Sequence, residues 1–237
     1  MKYKKQFYDH VVNFYSQDSQ DLEKIIFKNR KFLGPFLRFI KLFTITSKGI
    51  FVFMIVLLFF YNKFYIPQKN TKVYAYGLTN NNIKVFKIIE VIIEVRGGLY
   101  CINGKAGNFL RKLFLLIINF RELYRHALDV PHAWRGNFYC KLQLMMAITS
   151  YWFYRHYYVI RPIDFLIVAN DHAPLPVGMT YAAKELGIPV CYFQHAAVDS
   201  QFPPLKYDLS ILHDRHSLDV YIKAGSIPPF TESSSIY

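Results

Sequence analysis

From Pro162 onward the chain alternates short apolar runs with polar loops, and this is its most readable part. Phe165-Leu166-Ile167-Val168-Ala169 is a continuous apolar run of strand length, as a strand covered on both faces requires. The polar stretch Asn170-Asp171-His172-Ala173-Pro174 follows it directly. The spacing then predicts a helix over Val177 to Leu186, stopped by Gly187 as its C-terminal cap. Ile188 to Phe193 reads as the next strand, with Gln194-His195 at its carboxyl end, and Asp208 to Leu212 as a third. A helix from Ser217 to Ala224 ends at Gly225. Strand, helix, strand, strand, helix with short loops predicts a doubly wound α/β sheet.

Upstream the pattern is more helical. Lys72 to Tyr76 alternates like a short strand ending at Gly77, and Leu99 to Ile102 is another strand candidate. Ile83 to Val95 fits either helix or strand. Apolar residues recur at helical spacing from Asn108 to about Leu128, with Arg111, Lys112, Arg121 and Arg125 between them. A long aromatic helix is expected from Gly136 to Val159, ended by Pro162. Three regions follow from this: a basic amphipathic region at 1–70, an α/β domain at 71–225 that is best defined over 160–225, and a polar tail at 226–237.

Charge divides the chain in the same way. The net charge is +13, yet residues 1–150 carry 23 Lys and Arg against 8 Asp and Glu, whereas 151–237 carry 6 against 8. With 53% apolar and 18% aromatic residues the chain is neither disordered nor a low-complexity repeat. The longest apolar run, Ile50 to Tyr61, is shorter than the roughly 20 residues of a spanning helix. It fits a segment lying in a lipid surface, a buried core element or, least well, a span. The mixture of Phe and Leu with Lys and Arg before it, from Phe32 to Phe43, favours the surface alternative. The expected partner is therefore an inner-membrane surface with anionic lipids, held in a salt-sensitive way. Nucleic acid is not expected, because the cations are interleaved with aliphatics and no recognition motif is present. Cys101, Cys140 and Cys191 are too far apart for a metal knuckle or a disulfide scaffold, and free thiols are the simplest state.

Ligands of open parallel sheets bind at the carboxyl ends of the strands. Three consecutive strand ends here present Asn170-Asp171-His172, Gln194-His195 and His213-Asp214. Asp171, His172 and His195 are the catalytic candidates: an Asp or His could take a proton from an acceptor hydroxyl, and a His could stabilise a leaving phosphate. Asn170, Gln194 and His213 are the candidate substrate contacts. The same residues also suit plain structural duties, Asp171 as an Asx turn and Asp214 or Ser217 as a helix N-cap. No metal site is expected, since His213 and His216 have no further ligand cluster. Gly104-Lys105-Ala106-Gly107 lacks the end of a phosphate loop, and no serine sits in a nucleophile elbow.

The stretches Asn170 to Leu175, Ala182-Ala183-Lys184-Glu185-Leu186-Gly187 running on to Gln194-His195-Ala196, and Phe202-Pro203-Pro204-Leu205 together resemble bacterial surface and capsular polysaccharide biosynthesis proteins. Those are glycosyltransferases built from two Rossmann domains, the GT-B type. The likeness extends more distantly to CDP-glycerol glycerophosphotransferases and polysialyltransferases, and it covers roughly residues 160–225. It implies a Rossmann-like parallel sheet with helices, preceded by the basic aromatic helical region and forming one half of a GT-B architecture. It further implies transfer of a sugar or polyol phosphate from a nucleotide-activated donor, with no other cofactor. The acceptor would be a polysaccharide or lipid-linked molecule at the cytoplasmic face of the bacterial inner membrane, within a polysaccharide assembly complex. The turn reads His195-Ala196 where such families often have His-Gly, and nothing after Gly225 is long enough for a second Rossmann domain. A truncated, non-catalytic remnant or an accessory membrane-surface binding protein is the alternative expectation.

Overall fold

The computed structural model describes residues 1–17, 39–61, 64–77, 79–95, 100–107, 109–133, 138–194, 197–198, 202, 204–226 and 230–232. Seven named helices and eight strands run in the order α1 (Lys4–Gln17), α2 (Ser47–Val56), β1 (Tyr65–Ile66), β2 (Val73–Tyr76), α3 (Asn80–Val95), β3 (Tyr100–Ile102), β4 (Lys105–Ala106), α4 (Phe109–Ala133), α5 (Phe138–Ile160), β5 (Phe165–Val168), α6 (Pro174–Glu185), β6 (Val190–Phe193), β7 (Leu209–Leu212), α7 (Arg215–Lys223) and β8 (Phe230–Glu232). A single π-helical turn, Leu57–Tyr61, extends α2.

Six strands form one all-parallel sheet in the order β3-β2-β5-β6-β7-β8. The chain leaves β2 toward β3, then returns to add β5 on the other side of β2. That reversal is the switch point of a doubly wound sheet, and the order matches the flavodoxin-like variant of the Rossmann-like α/β class. The strands expected to end at Ala169 and Phe193 are direct neighbours, with Ile167 opposite Cys191.

Side chains alternate across the sheet with a period of two. On one face Tyr74, Tyr76, Leu166, Val168, Val190, Tyr192 and Leu212 join the large core with α1, α5 and α6. On the other, Ala75, Ile167, Ala169 and Cys191 meet Phe86 of α3 in a smaller one. Both faces being covered explains why the strands read as unbroken apolar runs. Helix α5 is buried nearly all round, as a helix apolar on every side must be. It meets α6 at Gly178, where a Cβ would stand 2.5 Å from the Ala147 carbonyl oxygen and 2.6 Å from Ser150 Cβ. Ser150 Oγ donates to the Leu175 carbonyl at 2.8 Å, fixing the same crossing.

Several expectations shift. Ile83–Val95 is helical. Helix α6 begins three residues earlier than the spacing predicted, because Pro174 and Pro176 occupy the first turn, where their missing N–H groups are not needed. The stretch 226–237, read as a polar tail, contributes strand β8, whose Phe230 to Glu232 pair with Ser210 to Leu212. Residues 1–70 do not stand apart from the sheet domain: Phe7 and Val11 of α1 are fully buried in the same core as Leu166 and Val168. The segment Phe32 to Arg38 lies outside the described residues. No helix among the described residues is long and apolar enough to cross a membrane.

Candidate functional site

The turn after β5 is built by Asn170. Its Oδ1 accepts from the backbone N–H groups of His172 at 3.3 Å and Ala173 at 2.6 Å, an Asx turn leading into α6. The turn sends successive side chains to different places. Asp171 points inward and is 1% exposed, whereas the His172 side chain keeps 25% of its surface.

Asp171 is held by several elements. Tyr221 of α7 donates its hydroxyl to Oδ2 at 2.7 Å, and Oδ1 lies 3.0 Å from His172 Nδ1. Helix α1 secures the backbone from the other side: His10 Nε2 lies 2.6 Å from the Asp171 carbonyl, and Tyr15 donates to the His172 carbonyl at 3.1 Å. Burial lowers the pKa of His10, so it is neutral there, and a neutral ring must donate from Nε2 because a carbonyl only accepts. Burial, with the charge of Asp171 second, raises the pKa of Tyr221, which keeps its proton and remains a donor. Tyr192 continues the chain, its hydroxyl 3.2 Å from that of Tyr221.

The carboxylate of Asp171 can only accept, so in its neutral form His172 carries its proton on Nδ1 and presents a lone pair at Nε2. Phe14 stacks on the imidazole at 4.5 Å between centroids, and Phe202 meets it edge-on at 5.2 Å. Together these fix the ring's tilt. A buried carboxylate orienting a partly open imidazole is the arrangement by which a general base can be held in place.

The neighbouring strand ends are arranged differently. Gln194 is 2% exposed; its Nε2 donates to Ser217 Oγ at 2.8 Å and its Oε1 accepts from the His213 backbone N–H at 2.9 Å. Both ends of the amide therefore tie β6 to the β7–α7 turn. Asp214 caps α7 through Ser217 N–H at 2.8 Å, which lowers its carboxyl pKa. The His213 side chain is partly exposed at this edge. His195 lies outside the described residues.

Beside the Asp171 turn lies the switch point, bounded by the turn after β2. There Asn103, at φ +53°, brackets Gly77 with two 2.8 Å bonds, accepting from its N–H and donating to its carbonyl. Thr79 and Asn82 exchange side-chain-to-backbone bonds at 3.0 and 3.3 Å in a reciprocal cap of α3. A half-open groove of about 560 Å³ lies at the opposite, amino-terminal edge of the sheet, lined by Pro67 to Lys72 and Ile160 to Ile163. It is remote from the Asp171 turn and has no place in its chemistry. No cluster of three or more His, Cys, Asp or Glu able to hold a metal occurs among the described residues.

No family model, no curated protein and no solved structure matches the chain. The site thus stands on its own geometry. Sequence reasoning singled out Asn170, Asp171 and His172 and passed over His10, Phe14, Tyr15 and Tyr221, which pack around them. These lie far away in sequence, and only helical spacing on α1 and α7 marks them as inward-facing.

Proposed function

We propose that this chain carries the acceptor-side Rossmann-like domain of a GT-B-type transferase of bacterial surface-polysaccharide assembly, working at the cytoplasmic face of the inner membrane. The observation that carries the reading is the Asp171–His172 pair at the carboxyl edge, beside the switch point. His172 Nε2 takes the proton of an acceptor hydroxyl while that oxygen forms its bond to the transferred sugar or polyol phosphate. The nucleotide leaves with the electron pair of the bond that breaks. Asp171 positions the imidazole and stabilises the charge it gains, as the carboxylate of a triad does. The substrate class comes from the resemblance of residues 160–225 to polysaccharide glycosyltransferases.

The test is release of nucleotide from a panel of activated sugars and polyols, with membranes supplying lipid-linked acceptor. The protein, together with a donor-binding Rossmann domain, should release nucleotide from at least one donor. His172→Gln should slow that release by about 10²–10⁴, the range for losing a general base. No release from any donor would favour the accessory-binding alternative.

A further inference from the structure

We propose that helices α2 and α4 form a docking face for the surface of an anionic lipid bilayer. This goes beyond the chemistry of His172 and does not depend on it.

The two helices lie antiparallel on the core. Phe51 meets Phe120 and Tyr124 at 4.8 and 5.3 Å, while Phe59 at the other end meets Phe109 at 4.8 Å. Ile50, Met54 and Leu58 of one, with Leu115, Leu123 and Ala127 of the other, face inward. The opposite sides are apolar too. Val52, Val56 and Phe60 recur at every fourth position, the last 82% exposed, and Leu110, Phe114 and Ile117 form a matching stripe at 72%, 58% and 67%. Among the described residues, all but three of the exposed large apolar side chains (Val159, Ile160 and Ile222) fall between Phe39 and Phe60 or between Phe109 and Leu128. A surface this concentrated marks an interaction site rather than scattered exposure.

Its charge selects the occupant. No Asp or Glu occurs from Phe39 to Tyr61 or from Phe109 to Arg121, whereas Lys41, Lys48 and Arg121 are exposed there. A second copy would set cation against cation. An anionic leaflet offers negative headgroups around an apolar interior, the complement of a face whose aromatic and aliphatic residues are interleaved with Lys and Arg. With no helix among the described residues able to cross, the face lies on the bilayer.

Flotation with vesicles of phosphatidylglycerol and phosphatidylcholine in equal parts tests this, with size-exclusion chromatography alongside. The full chain should float with these vesicles, bind pure phosphatidylcholine at least about tenfold more weakly, and be partly released by salt. Leu110→Glu with Ile117→Glu, and separately Lys48→Glu with Arg121→Glu, should each weaken binding about tenfold or more while leaving the unfolding midpoint in place. His172→Gln should float like the parent, which separates this proposal from the transfer reading. Failure of the parent to bind anionic vesicles overturns the proposal, and so does binding that neither pair of substitutions weakens. A dimer abolished by Ile117→Glu, without vesicle binding, would assign the face to self-association and overturn it equally.

Discussion

Two polar turns on adjacent strands of one sheet differ in what they leave unused. After β6, Gln194 is buried and both ends of its amide are engaged, one by Ser217 and the other by the His213 backbone. After β5, Asp171 is equally buried, but its bonds converge to aim a second residue, and the His172 side chain keeps a quarter of its surface exposed, with Nε2 outside those bonds. Strand-end position alone therefore does not separate structure from chemistry. The separating feature is an oriented group with bonding capacity left over.

The largest effect should come from breaking the open turn. In the nucleotide-release assay, His172→Gln loses about 10²–10⁴ in turnover, while unfolding free energy falls by no more than about 1.5–3 kcal/mol, the loss of a bond to a charged group. Equal turnover in parent and variant would erase the difference between the turns.

Acid should act through α4. Burial holds His126 of α4 down to about 4, from the ordinary 6.5. Its neutral form favours the folded state, so that stability is complete above about pH 6.5 and is lost as pH falls through 4, amounting to about 3 kcal/mol. His156 Nε2, 3.2 Å from its carboxylate, is the first cause holding Glu122 down to about 2, so its contribution is present above about pH 4.5 and lost as pH falls through 2. Denaturation measured against pH should lose the upper slope in His126→Gln and retain it in Gln194→Ala.

Gln194→Ala should behave as the mirror image of His172→Gln. It strands the His213 N–H and the Ser217 hydroxyl, costing about 1–3 kcal/mol in chemical denaturation, with turnover per folded molecule unchanged. Tyr221→Phe should cost about 1.5 kcal/mol, the lower value for a bond to a charged group. It should also slow turnover less than His172→Gln, because His172 still holds Asp171.

The legibility of the sequence follows the same division. Strands β5, β6 and β7 were readable because both sheet faces are covered, which turns each strand into an apolar run bounded by Asn, Gln or His. Asn170, Asp171 and His172 were readable because they follow such a run. The roles within that turn were not: nothing local distinguishes a carboxylate that faces Tyr221 from one that faces solvent. Gln194 looked equally suited to a substrate, because its partner is the backbone of a residue nineteen positions later. The contribution of α1 was hidden by its resemblance to a basic amphipathic surface helix, although His10 and Tyr15 face the turn after β5. Strand β8 was hidden by the polarity of its neighbours, which suits the edge position it occupies.

The most direct measurement is the tautomer of His172, read from the imidazole nitrogen shifts of the ¹⁵N-labelled protein in its neutral form. The parent should carry the proton on Nδ1, with Nε2 unprotonated, and Asp171→Asn should abolish that preference. A parent protonated on Nε2 would contradict the account, because Nε2 would then have no lone pair to accept a proton.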